Sequence, residues 1–163
     1  MEQREVINTY LQMLNESLQK KLSILNQIYE LTKQQDQCFQ EDNEVIEIME
    51  RCVNEKEPLL NQLAKLDEGF DLVYSKIKRF VLEDSKEYQT EVLRLQNSIS
   101  DITSLSVKIQ TLEQGNKRKF ELFLASKKQE IKQFKVSNRT ASNYYKNMTG
   151  KPQGEAYFID KKK

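Results

Sequence analysis

Residues 45–80 read VIEIMERCVNEKEPLLNQLAKLDEGFDLVYSKIKRF. Val45, Met49, Cys52, Lys56, Leu59, Leu63, Leu66, Phe70, Val73, Ile77 and Phe80 follow one another in steps of four and three. That spacing returns the same face of an α-helix to one side for about ten turns, whereas a strand would alternate every second residue. Lys56 is the one polar member of the seam. Pro58 and Gly69 lie inside it. A helix-internal proline removes a backbone hydrogen bond and clashes with the carbonyl four residues back, so a kink is expected near Asn54. The seam does not reset at Pro58, which argues for one kinked helix; two shorter helices are the alternative.

The same rhythm extends to both sides. Upstream, Ile7, Leu11, Leu14, Leu18, Lys21 or Leu22, Leu25 and Ile28 form a second seam, widened by Val6, Tyr10, Tyr29 and Leu31. DQCFQEDN (36–43) interrupts it, and Asp42 or Asn43 suits the N-cap of the next helix. Downstream, DSKE (84–87) has the form of a capping box. Val92, Leu95, Ile99, Ile102, Leu105 or Ser106, Ile109 and Leu112 follow as a third seam. Gly115 and the basic run KRK (117–119) weaken it, and Phe120, Phe123, Leu124, Ile131 and Phe134 resume it. The pattern predicts helices over about 3–35, 42–82 and 85–136, an all-α, elongated, antiparallel three-helix bundle or coiled coil over residues 1–136. Residues 137–163 are left as a flexible tail, overhanging the bundle.

The bulk numbers agree with helices carrying narrow apolar stripes. The 163 residues are 37% hydrophobic and 31% charged, with 4 Gly and 2 Pro. No apolar run is long enough to span a bilayer. The start, MEQREVINTYLQ (1–12), lacks the apolar centre of a signal peptide. Cys38 and Cys52 are the only cysteines and are not in CxxC spacing, so they read as reduced thiols of a cytoplasmic protein.

The net charge of +1 conceals an asymmetry. Residues 1–116 hold 13 Lys and Arg against 21 Asp and Glu; residues 117–163 hold 13 against 4. An acidic body carries a basic end. With 0 His, no Cys/His cluster and no phosphate loop, the sequence offers no catalytic centre, metal site or cofactor site. KRK (117–119), KK (127–128) and KKK (161–163) could meet phosphates, but the cluster is diffuse and no reader motif accompanies it, so nucleic acid is not the expected partner.

The ending NYYKNMTGKPQGEAYFIDKKK (143–163) sets aromatic residues among Gly, Pro, Asn and Lys with no period that would bury them. Exposed apolar surface of this kind marks interaction. Phe134, Val136, Tyr144, Tyr145, Met148, Tyr157, Phe158 and Ile159 are therefore the candidate client-binding residues. Phe120 to Leu124 read as ordinary core.

This layout resembles the FlgN-type flagellar export chaperones over nearly the whole chain. LTKQQDQCFQEDNEVIEIM (31–49) is similar to the family's helix–turn–helix, and NEKEPLLNQLAKLDEGFD (54–71) to its Lys- and Leu-rich second helix. SVKIQTLEQGNKRKFELFL (106–124) is similar to its third, and YYKNM (144–148) with YFIDKKK (157–163) resembles the tails of clostridial-type members. The resemblance implies a cytoplasmic, non-enzymatic helical protein of bacterial flagellum biogenesis. Such a protein binds C-terminal helices of hook-associated (hook–filament junction) proteins, prevents premature assembly and hands its clients to the type III export apparatus. Pro58, Gly69 and Gly115 depart from the family pattern. The alternatives are a structural coiled-coil protein that self-associates and a sister chaperone for the filament cap or flagellin.

Overall fold

A computed structural model of the chain describes residues 2–41 and 44–127. They form three helices: α1 (Glu2–Glu41), α2 (Val45–Glu83) and α3 (Gln89–Ser126). No strand occurs among the described residues. The fold is an all-α three-helix bundle.

α1 continues into the interruption expected at 36–43, as far as Glu41. Its seam does not stop at Ile28; it changes chemistry. Thr32, Gln35 and Cys38 continue the steps of four and three and are buried like the leucines before them. At the start of the helix, Glu2 and Glu5 face the positive end of the dipole. Lys21 is buried and Leu22 half-buried, which settles that choice. Val6 does not widen the seam: it is 51% exposed.

The N-cap of α2 is Glu44, whose carbonyl accepts the Ile48 amide at 2.9 Å. Glu44 has φ 62°, a left-handed conformation costing a non-glycine residue about 1 kcal/mol. Pro58 lies inside α2 without ending it, so the two-helix alternative does not apply. The seam nevertheless shifts there. Val45, Met49, Cys52, Lys56, Leu60, Leu63, Phe70, Tyr74, Ile77 and Val81 are buried, while the expected Leu59, Leu66, Val73 and Phe80 are half-buried. The step from Lys56 to Leu60 is a four where the strict count has a three, and Leu63 follows by three, so Lys56, Leu63, Phe70 and Ile77 keep their seven-residue spacing. An α-helix of 3.6 residues per turn drifts by about 20° per heptad against a 3.5 repeat, so the alternate members fall one residue later, at Leu60, Tyr74 and Val81. Pro58 is exposed within that step.

DSKE (84–87) is the turn between helices, not a capping box. The Asp84 amide bonds back to the Phe80 carbonyl at 3.1 Å, and the Glu87 amide to the Asp84 carbonyl at 3.2 Å. α3 begins four residues later than expected, with the Tyr88 carbonyl accepting the Val92 amide at 2.9 Å. Tyr88 is buried, so its ring anchors the helix start by packing. α3 passes through Gly115 unbroken and ends at Ser126. Residues 128–136, expected to continue it, lie outside the described residues.

Where one bundle was expected over 1–136, the described residues divide into two compact units, each drawing on all three helices. The first combines 2–23 with 63–104. Ile7, Leu11, Leu14 and Leu18 bury there, as do Leu63, Phe70 and Ile77 and, from α3, Leu95, Ile99 and Ile102. Each such side chain stabilises by about 1.5–3 kcal/mol. The Lys21 ammonium donates to Asp67 at 2.7 Å, and Gln19 Nε2 donates to Ser98 Oγ at 3.1 Å. Burial raises the Asp67 pKa, and Lys21 opposes the shift.

The second unit combines 24–62 with 105 onward. Ile24, Leu25, Ile28, Val53, Leu60 and Ile109 are buried there. Cys38, Val45, Met49 and Phe120 form a cluster with Phe39, Ile48, Phe123 and Leu124 packed against it.

Candidate functional site

Polar residues interrupt the core of the second unit, one set from each helix. α1 supplies Thr32 and Gln35, α2 supplies Lys56, and α3 supplies Glu113 and Asn116. Each occupies a seam position reached by continuing the steps of four and three. Lys56 is 1% exposed. Its ammonium donates to Gln35 Oε1 at 2.6 Å and is ion-paired to the Glu113 carboxylate. Gln35 Nε2 donates to the Met49 carbonyl at 3.4 Å. Thr32 Oγ1 lies 2.7 Å from the Ile28 carbonyl and 3.3 Å from Glu113 Oε1. Asn116 Nδ2 donates to the Thr32 carbonyl at 3.0 Å. Asn116 Oδ1 is buried and accepts no hydrogen bond from the described residues. Such an orphan costs about 1–3 kcal/mol.

Burial pushes the Lys56 pKa down, and the Glu113 charge and hydrogen bond push back. The layer holds a charge by solvating it with protein groups from three helices. Lys56 thereby ties α1 and α3 to α2 at one level of the second unit, while Glu113 stays partly exposed. Cys52 lies one turn from Lys56, and Cys38 donates to the Gln35 carbonyl at 2.9 Å. Burial raises both thiol pKa values, that of Cys38 to about 11. Both are free and packed as small hydrophobes. Among the described residues, no group of His, Cys, Asp and Glu side chains could hold a metal ion, and no helix is long and apolar enough to cross a membrane.

The aromatic end of α3 begins inside the core. Phe120 is buried against Cys38, Val45 and Met49. Its ring stacks on Phe123 with centroids 6.4 Å apart, and Lys127 Nζ stands 4.9 Å from the centre of the Phe123 ring. Phe123 and Leu124 are half-buried, and Leu122, on the opposite side, is 68% exposed. Phe120 is thus the last buried side chain among the described residues. Of the basic run, Lys119 pairs with Asp36 of α1, while Lys117 and Arg118 are exposed.

The candidate client-binding residues Phe134, Val136, Tyr144, Tyr145, Met148, Tyr157, Phe158 and Ile159 all lie outside the described residues. The polar layer carries no hydrophobic signal in the sequence, and Leu112, next to Glu113, continues the apolar count in its place. Steps of four and three from Ile109 lead to Glu113 and Asn116.

No family model, curated protein or solved structure matches the chain.

Proposed function

We propose that this chain is a cytoplasmic export chaperone of the FlgN type, which binds C-terminal helices of hook-associated proteins through residues 134–159 before type III export. The observation that supports this reading is the sequence that follows the described core. Phe120 is the last buried side chain among the described residues, and the sequence beyond continues to place Phe, Tyr, Met and Ile among lysines. Three helices with apolar seams suit a protein that acts by binding. The sequence resemblance supplies the client class.

The energetics suit capture followed by release. One buried Tyr or Phe stabilises by roughly 1.5–3 kcal/mol. Ordering a segment on binding costs about 2–5 kcal/mol or more. Several aromatic anchors therefore give useful affinity without permanent binding, and the lysines favour acidic clients.

The test is removal of residues 137–163. Helix content by circular dichroism and the melting temperature should stay nearly unchanged, while calorimetric titration with a C-terminal helix of a hook-associated protein should show no binding. Binding that survives truncation would sink this assignment and move the client site onto the bundle.

A further inference from the structure

A cleft of about 400 Å³ opens in the first unit beside the α2–α3 turn. Its wall is apolar where Ile7, Phe80 and Tyr88 line it. Ile7 and Tyr88 are buried, and Phe80 is half-buried. The rim is acidic: Glu83, Asp84 and Glu87 line it with one cation, Arg4, which pairs with Glu87; Arg79, one turn before Glu83 and not part of the lining, pairs with Glu83 at 3.4 Å. Asp84 and Glu87, after burial itself, also hold the Tyr88 pKa up.

We infer that this cleft is the docking site of the chain's own segment Tyr157–Lys163. The segment reads YFIDKKK. It brings three adjacent apolar side chains for the wall, three lysines for the acidic rim and one aspartate suited to Arg4. The rim and the segment carry opposite net charge, and each has a single counter-charge placed to fix orientation. Reach is sufficient. α3, of 38 residues, is about 57 Å long at 1.5 Å per residue. The roughly thirty residues from 128 to 157 extend to about 100 Å, so a chain leaving the end of α3 can return past its start.

Docking would give the tail a resting place. Tyr157, Phe158 and Ile159 are covered in the cleft until a client competes for them, which limits self-association of an aromatic end. This regulatory consequence rests on the proposed chaperone reading; the docking itself does not.

The experiment uses the full chain without any client. Chymotrypsin cleavage after Tyr157 and Phe158 is followed by mass spectrometry at low salt. Glu83→Lys with Asp84→Lys should raise the cleavage rate about tenfold, as should roughly 0.5 M salt, since exposed charge pairs are screened there. Lys161→Glu with Lys162→Glu and Lys163→Glu should do the same. These three follow the described residues in sequence and contribute nothing to the described cores, so loss of those cores does not explain the effect. Combining the two sets should restore protection. Cleavage rates equal in all of these proteins would overturn the proposal. Protection that disappears on dilution would overturn it too, by assigning the cleft to the tail of a second copy. Loss of client binding with tail protection intact would count against the chaperone reading alone.

Discussion

Lys56 and Glu113 are ion-paired inside the second unit, the lysine almost wholly buried and the glutamate partly in reach of water. The pair joins α2 to α3, and Gln35 brings α1 to the same ammonium. Taking two charges out of water costs more than their attraction returns unless hydrogen bonds complete the shell. The pair therefore contributes more to helix register than to stability.

Removing one partner should be far worse than removing both. Glu113→Ala leaves a buried ammonium without its carboxylate and should destabilise by about 3 kcal/mol. Lys56→Met combined with Glu113→Leu should be neutral or stabilise by up to about 4 kcal/mol. Urea melts of the three proteins check this. A Glu113→Ala cost below about 1 kcal/mol would mean that Lys56 reaches water on its own.

The seams predict which side chains carry the core. Leu63 and Ile99 are both fully buried in the first unit, and Leu63→Ala or Ile99→Ala should each destabilise by about 2–5 kcal/mol. Leu72, 61% exposed on the same helix as Leu63, should tolerate alanine within about 0.5 kcal/mol. The contrast between Leu63 and Leu72 in one denaturant series tests the register directly.

Neither helix-internal glycine has a packing reason to be glycine. A Cβ built at Gly69 or Gly115 meets nothing within 4 Å. Gly69→Ala and Gly115→Ala should each stabilise by about 0.5–1 kcal/mol through reduced unfolded-state entropy and better helix propensity. Thermal melts of the single and double variants should show the increments adding.

The thiols set a pH dependence whose sign is fixed by burial. Cys38 titrates near 9.0 in the unfolded chain and at about 11 when folded. Below 9.0 both states keep the proton, and the contribution to stability is fully present. Between 9.0 and about 11 the unfolded state loses its proton first, so stability falls as pH rises through that window. Cys38→Ala should flatten the decline between about pH 8 and about pH 10.5 relative to the parent chain. An unchanged slope would place the decline on other groups.

The helices were legible because burial follows a period that a reader can count. Ile7 to Ile28 on α1 and Val92 to Ile109 on α3 occupy the seams they were given. Two physical features hid the rest. A buried position filled by Thr32, Gln35 or Glu113 carries no hydrophobic signal, so α1 read as ending near residue 35 and the polar layer went unseen. The drift of an α-helix against a strict heptad is invisible to a count in sevens, which placed Leu59, Val73 and Phe80 where Leu60, Tyr74 and Val81 are buried. The capping-box reading of DSKE failed for a related reason. A buried Tyr88 secures the start of α3 better than the Asp84 side chain would, and propensity yields to packing. Phe134 and Val136 are candidates because the third seam runs past the end of the expected bundle, and the residues from Tyr144 onward because they lack a period; neither criterion gives a residue neighbours.

The division into two units has a consequence for dissection of the chain. Each unit is discontinuous in sequence: 2–23 with 63–104, and 24–62 with 105 onward. No single contiguous fragment contains the first unit without also carrying segment 24–62 of the second. Deletions from the amino terminus erode the first unit, whereas deletions into α3 from its carboxyl end erode the second, removing Leu124 and Phe123 and then Phe120. Nested truncations would therefore trace two separate losses of structure. To isolate the first unit, an engineer would have to excise residues 24–62 and bridge Ser23 to Leu63 with a new loop.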